Sequence, residues 1–198
     1  VDKNKCWIFQ LRKLIPHPGK CRKNRDTTGP CDLSVRVSVH RSGEQVSNMS
    51  DLDDVKKFLA DETGLATIST VQADGRVLSS VANCGVIVHP VTGTECVALV
   101  SMGSAGRLKH VRRGSEVTIA IRRGWNWVAV TGKADLIGPD DQQHHFDTEK
   151  LRLLLREIYI AAGGQHDDFD EYDREMVRSQ RAAVLVAPTR IVGNHPSG

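Results

Sequence analysis

The sequence predicts a mainly β domain with some α: six strands in a closed or half-closed barrel, with short peripheral helices. Three observations predict it. Strand-like runs follow one another at close spacing, a short helical stretch interrupts them after the third, and a helical pair precedes the last. The strand–helix alternation of a parallel sheet is not written here.

Taken in order, Met49-Ser-Asp-Leu-Asp-Asp-Val-Lys-Lys-Phe-Leu-Ala opens a helix, with Ser50 and Asp53 as a capping box and acidic residues in the first turn. Residues 64–71 form the first strand. Ala73-Asp74-Gly75 is a hairpin turn leading into the second, 76–88. A turn at 90–94 leads to the third, 95–101. A short helix follows over 104–113, then a strand over 116–121, a turn at Arg123-Gly124 and a long strand over 125–137. Asp147 caps a helix whose Leu151, Leu154, Leu155 and Ile158 share one face and which Gly163-Gly164 ends. Asp168 with Glu171 caps the next, to about Ser179. The last strand covers 182–192, with Pro188 marking an edge or a bulge.

Charge divides the chain. Its net +3 hides +6 on residues 1–48 and −3 on residues 49–198. The front segment has no sustained helical or strand period, apart from Val35-Arg36-Val37-Ser38-Val39. It is expected not to belong to the native domain: either translated upstream sequence starting before Met49, or a real basic tail that contacts nucleic acid or membrane. The domain itself, 49–198, gives no electrostatic reason to bind nucleic acid. No apolar run approaches a membrane span, the longest being 182–187, and the first residues lack the long apolar stretch of a secretory signal. Five cysteines without a C-x-x-C pair argue against a disulfide framework and a zinc knuckle. Reduced thiols and a cytoplasmic location are expected.

The informative stretch is Ser101-Met-Gly-Ser-Ala-Gly-Arg-Leu-Lys-His-Val-Arg-Arg113. A Gly- and Ser-containing loop there meets a helix start, where free N–H groups favour anions, and Arg107 and Lys109 stand beside it. Neither a Walker loop nor G-x-G-x-x-G is present. Between 107 and 123 there are six Lys/Arg against one acid, Glu116. That excess points to a polyanionic ligand; the competing reading is a solvated basic face, which suits Arg112, Arg113, Arg122 and Arg123 better than Arg107 and Lys109. Trp125 and Trp127, two apart, share a strand face that suits either a flat ring system or core and dimer packing. No metal ligand set stands out: His144-His145 and His166 read as solvated or helix-start residues. Nor does any nucleophile elbow or catalytic acid, so the catalytic residue is left unknown.

With those residues quoted, a resemblance emerges. LATISTVQADGRVLSSVANCGVIV, GRLKHVRRGSEVTIAI, WNWVAVTGKADLIGPDD and the tail GGQHDDFDEYDREMVRSQRAAVLVAPTRIVG resemble the pyridoxamine-phosphate-oxidase-like split β-barrels (FMN-binding split barrels). The match is nearest to their F420-dependent, flavin/deazaflavin oxidoreductase branch and covers about residues 50–195. The resemblance implies that Arg107 takes the phosphate-binding place, with His110 where relatives carry Asn and Ala105 where many carry a base; Lys109 or Ser104 would compensate. It implies that Ser79, Ser80 and Val81 lie along the coenzyme ring and that Trp125 and Trp127 close the pocket from a partner subunit. The loop residues Ser101 and Ser104 complete the expected coenzyme set. Arg76-Val-Leu-Ser-Ser-Val81 lacks the second base of the FMN enzymes, and Pro188-Thr-Arg-Ile-Val-Gly193 lacks a pyridoxal signature. Coenzyme F420 is therefore expected, with FMN as the alternative, in a homodimer that passes hydride to a small acceptor such as a quinone, an enone or a tetrapyrrole. The remaining reading is a non-catalytic F420 carrier.

Overall fold

The computed structural model describes residues 52–61, 64–143 and 146–194. The expectations for residues 1–48, for the Ser50 cap and for His144-His145 lie outside these.

Within them, six antiparallel strands close into a barrel: β1 (Leu65–Val71), β2 (Val77–Val88), β3 (Glu95–Ser101), β4 (Val117–Arg123), β5 (Asn126–Ile137) and β6 (Ala182–Gly193). The ring order is β1-β2-β3-β6-β5-β4. Four helices surround it: α1 (Leu52–Asp61), α2 (Gly106–Arg112), α3 (Thr148–Ala161) and α4 (Phe169–Arg178). This is the six-stranded barrel with short peripheral helices that the sequence predicts.

Alternation along the strands builds two apolar layers. Ile68, Leu99, Ile119 and Val130 point into the barrel, where Val55 and Phe58 of α1 join them with Leu108 and Val111 of α2. Outside the wall, Ala98, Ala183 and Leu185 of β3 and β6 are covered by Leu154, Leu155 and Ile158 of α3 and by Tyr172 and Met176 of α4. Phe58 is fully buried, so Phe58→Ala should cost about 3–5 kcal/mol.

The local signals act largely as read. Gly75, at φ +82, closes the β1–β2 hairpin, and the Asp74 carboxylate accepts the Arg76 N–H at 3.1 Å. Asp147 accepts from the Lys150 N–H at 2.8 Å. The α4 start differs from a reciprocal capping box: Asp168 accepts from Asp170 and Glu171, but its own N–H donates to His166 Nδ1 at 3.1 Å rather than to Glu171. Pro188 marks a bulge, not an edge, because the barrel is closed. Thr131 faces Arg190 while Gly132 faces Pro188, leaving Thr189 as the extra residue. A Cβ on Gly132 would lie 1.8 Å from the Ala187 carbonyl oxygen, so the bulge requires glycine there.

Most strand boundaries shift by one or two residues, and the shift at the β4–β5 turn moves a candidate residue. β4 runs on to Arg123, and β5 starts at Asn126, so Trp125 lies in the turn and not on the strand face assigned to it. The side chain of Asn194 fixes that turn, donating to the Trp125 carbonyl at 2.9 Å and accepting the Trp127 N–H at 2.8 Å. At the β2–β3 turn, buried His89 accepts the Val91 and Thr92 N–H groups on Nδ1. Its Nε2 therefore carries the hydrogen and donates to Asp135 at 3.1 Å.

Candidate functional site

The barrel wall parts between β2 and β3. β2 and β3 pair only from Cys84↔Leu99 to Val88↔Glu95. Before Cys84, residues 77–83 of β2 pair with β1 alone, so this half of β2 turns an edge toward the end of β3. The loop 102–105 and the first turn of α2 stand at that gap.

Arg107, in the first turn of α2, sends its guanidinium back to β2, where Nη2 donates to Ser80 Oγ at 2.9 Å. Ser80 faces Ile68 across the β1–β2 ladder and so points inward. The Arg107 charge also acts on the buried Cys84 thiol, two places further along the same inner face. Arg107 has no carboxylate within ion-pair distance among the described residues, although burial, with the Arg181 charge acting in the same sense, pulls its pKa below the ordinary arginine value. A guanidinium stays protonated even so. Among the described residues the gap thus holds a half-buried cation without a carboxylate partner, a place where an anion would be complementary.

Ser101 ends β3 on the other side of the gap. By alternation it points inward with Leu99, and at 2 % exposure its Oγ is buried without a hydrogen-bond partner among the described residues. Native interiors leave few such atoms unsatisfied. An oxygen-rich ligand or a water at the gap would satisfy it.

The rest of the basic run separates by neighbour. Arg112 forks onto Asp141 at 2.8 and 2.7 Å, tying α2 to the turn after β5. Arg123 lies 5.0 Å over the Phe58 ring and donates to the Phe58 and Lys57 carbonyls. Arg122 donates to the Gly124 carbonyl at 2.7 Å. Lys109 and Arg113 are exposed and make no ion pair among the described residues. The positive excess is therefore three structural guanidiniums, one inward cation at the gap and two exposed charges, on α2 and at its C-cap.

The loop offers less backbone than its sequence suggests. The Gly103 N–H goes to the Ser179 carbonyl at 3.3 Å, the Ala105 N–H to Met102 at 3.0 Å, and Ala105 at the helix N-cap has no side-chain cap bond. With α2 only seven residues long, side chains rather than a helix dipole must carry anion recognition here. Ser104 is exposed in this loop. His110 turns into the barrel, where Nδ1 is 2.8 Å from Thr70 Oγ1.

Strand alternation divides Ser79, Ser80 and Val81. Ser80 faces the interior with Arg107, whereas Ser79 and Val81 face outward, Ser79 against Ser69 at 2.9 Å and Val81 at 59 % exposure. Trp125 is 93 % exposed on its turn and Trp127 is half-buried. Arg181, beside the loop, was not among the residues singled out. Its Nε donates to Ser179 Oγ at 2.9 Å, and burial lowers its pKa as well. Its only sequence signal was a lone base before an apolar strand. Tyr159 donates to the Gln165 carbonyl at 2.8 Å and packs on Tyr172 at the α3 side. An open groove of about 670 Å³ lies there too, between the end of β2 and α3, lined among others by Val86, Leu153, Arg156, Ile160 and Phe169. No residue of the expected coenzyme set lines it.

No protein-family model matches the chain, and no curated protein matches it. Solved structures do. A conserved hypothetical protein of Mycobacterium tuberculosis aligns with a TM-score of 0.53 at 15 % identity, covering 76 % of this chain and 93 % of its own. A proposed 5-nitroimidazole antibiotic resistance protein of Bacteroides thetaiotaomicron aligns with a TM-score of 0.52 at 14 % identity, covering 74 % and 84 %. A pyridoxamine 5'-phosphate oxidase-related, FMN binding protein of Nostoc punctiforme aligns at 0.49 and 11 % identity, covering 72 % and 84 %. Identities this low speak for architecture alone, and the architecture that the first two share with this chain is the six-stranded split barrel.

Proposed function

We propose that the chain binds an anionically tailed redox coenzyme at the gap between β2 and β3, and that this coenzyme is F420 in preference to FMN. One observation carries the reading: the half-buried Arg107 guanidinium donates to Ser80 in the parted wall with no described carboxylate beside it. Arg107 would hold a phosphate oxygen, and Ser101 and Ser80 would offer hydroxyls to the same group. The exposed Lys109 and Arg113 would meet charge further along the tail. Preference for F420 rests on Val81, which stands where FMN enzymes carry a second base.

When bound, the coenzyme supplies two-electron chemistry toward a small acceptor such as a quinone, an enone or a tetrapyrrole; the chain's residues bind, orient and exclude water. No side chain is assigned as catalytic acid. The test is titration with F420 and FMN side by side, followed by an acceptor screen. Saturable F420 binding with turnover supports the reading, and tight FMN binding without F420 binding replaces it with a flavin enzyme. Binding without turnover for any acceptor leaves a carrier, and binding of neither coenzyme refutes it.

A further inference from the structure

We infer that the end of β2 and the adjoining side of α3 form a docking groove for an extended segment of another protein. The segment adds to β2 as a strand, and on the face it turns to α3 it carries a basic residue between two apolar ones. The inference stands without the coenzyme reading.

β2 leaves an edge free on each side. Before Cys84 it lacks β3; after Cys84 it lacks β1, whose ladder ends at Leu65↔Asn83. Two bonds fix the backbone direction at this second edge. The Cys84 N–H donates away from β3, to the Gly64 carbonyl at 2.7 Å, whereas the His89 N–H donates to the β3 side, to the Thr94 carbonyl at 2.8 Å. Peptide groups alternate in direction along an antiparallel strand, so Val86 and Val88 point theirs as Cys84 does, away from β3. Among the described residues nothing accepts from or donates to them there. Val86 is half-buried and Val88 exposed, so these groups face an accessible groove and not a sealed core. An unpaired edge of this kind is a template for an added strand.

α3 supplies the other wall. Its buried residues are Leu154, Leu155 and Ile158, and the stripe beside them, Leu153, Glu157 and Ile160, lines the groove. Leu153 and Ile160 are 50 % and 56 % exposed. They stand seven residues apart, about 10 Å along the helix axis. Three same-face residues of a strand span about 13 Å, and flexible side chains take up the difference.

Charge selects the segment. Arg156 also lines the groove, but its guanidinium is held on Asp173 at 2.9 Å and lies 4.9 Å over the Phe169 ring. Glu95, on the strand wall, pairs with Lys56 at 2.8 Å. Glu157 is exposed and has no ion pair among the described residues. Its charge reaches the sheet, where it acts on the buried Cys96 thiol. The groove thus carries an uncompensated negative charge between two apolar contacts. A lysine or arginine with an aliphatic residue two places away on either side is the complement.

Fluorescence anisotropy on the full chain tests this with a fluorescein-labelled peptide, Thr-Val-Thr-Lys-Thr-Val-Thr, and its twin carrying Glu for Lys. The lysine peptide should bind saturably, and the glutamate peptide at least about tenfold more weakly. Glu157→Lys should reverse that order. Val88→Pro removes an edge N–H and no ladder bond, so it should weaken the lysine peptide about tenfold at an unchanged melting temperature. Methylating the peptide's own backbone nitrogens probes the same bonds without altering the protein. Methyl groups on the Val and Lys nitrogens, or on the Thr nitrogens, lie on opposite edges of the added strand, so one set should abolish binding and the other leave it within about threefold. No saturable binding of the lysine peptide, an order that Glu157→Lys leaves unaltered, or equal loss from the two methylated sets overturns the inference. So does self-association of the chain that Val88→Pro abolishes, which gives the edge to a second copy instead.

Discussion

Replacing Arg107 by methionine separates a ligand-binding cation from a structural one. Methionine keeps much of the apolar stem and removes the charge, so packing over β2 is largely retained. Among the described residues the guanidinium makes one hydrogen bond, to Ser80, and no ion pair to offset its burial. Loss of that bond and relief of the desolvation act in opposite directions. The net change in stability should stay within about 1 kcal/mol, a shift of at most about 4 °C in melting temperature for a domain of this size. Coenzyme affinity should behave otherwise. One charge-assisted hydrogen bond to an oxyanion is worth about 1.5–3 kcal/mol, or roughly 10- to 150-fold in Kd. Arg107→Glu should fall further, since repulsion is added. Fluorescence titration with F420 and scanning calorimetry on the same preparations provide both readouts. Unchanged affinity in Arg107→Met would remove Arg107 from the site, and a melting temperature lowered by about 8 °C or more would make it a structural cation.

Three further expectations follow from buried and paired groups. Ser101→Ala deletes a buried hydroxyl without a described partner, so it should raise stability by about 1 kcal/mol and weaken coenzyme binding; a lower melting temperature would show that the hydroxyl has a structural partner. Burial alone would push the Asp173 carboxyl up, but Arg156 and Arg152 hold it below the ordinary value. That contribution is complete above the unfolded carboxylate pKa and disappears as pH falls through the lower folded one, so acid should loosen the α3–α4 contact. Asp173→Asn should flatten the acid limb of a stability–pH curve, and an unaltered limb would assign it to other carboxylates. Burial pushes the Cys84 thiol up to about 12, against the pull of Arg107, and the Cys96 thiol up to about 11. Alkylation at about pH 8 with peptide mapping should leave both unmodified in the native protein and modify both in urea, and rapid native labelling of Cys84 would mean that the gap opens onto it.

The fold was legible because its signals are local. Alternating runs, Gly75 in its turn, the caps at Asp147 and Asp168, and the apolar face of α3 all act over a few residues, and each appears near its predicted place. Trp125 shows where such reading ends. The pattern Trp-Asn-Trp alternates as a strand would, yet Gly124 at φ +56 and the distant side chain of Asn194 settle the turn one residue later.

The candidate site depends on distances in sequence that no spacing rule spans. Arg107 meets Ser80 across 27 residues, and the two share a gap only because β2 and β3 stop pairing at Cys84 and Leu99. Nothing in either strand's composition announces that point. The same parting explains why a cation in a basic run finds no carboxylate: Arg112 has one because the turn after β5 delivers Asp141 to the far end of α2, whereas Arg107, a turn earlier, faces the edge of a strand carrying serines and valines. Net charge over residues 107–123 points to an anion, but it weights six bases equally. Their neighbours do not: three guanidiniums are engaged by Asp141, the Phe58 ring with two carbonyls, and Gly124, whereas the inward Arg107 and the exposed Lys109 and Arg113 have no ion pair among the described residues. Affinity for the coenzyme should accordingly respond to Arg107 far more than to Arg112, although the two side chains lie five residues apart on one short helix.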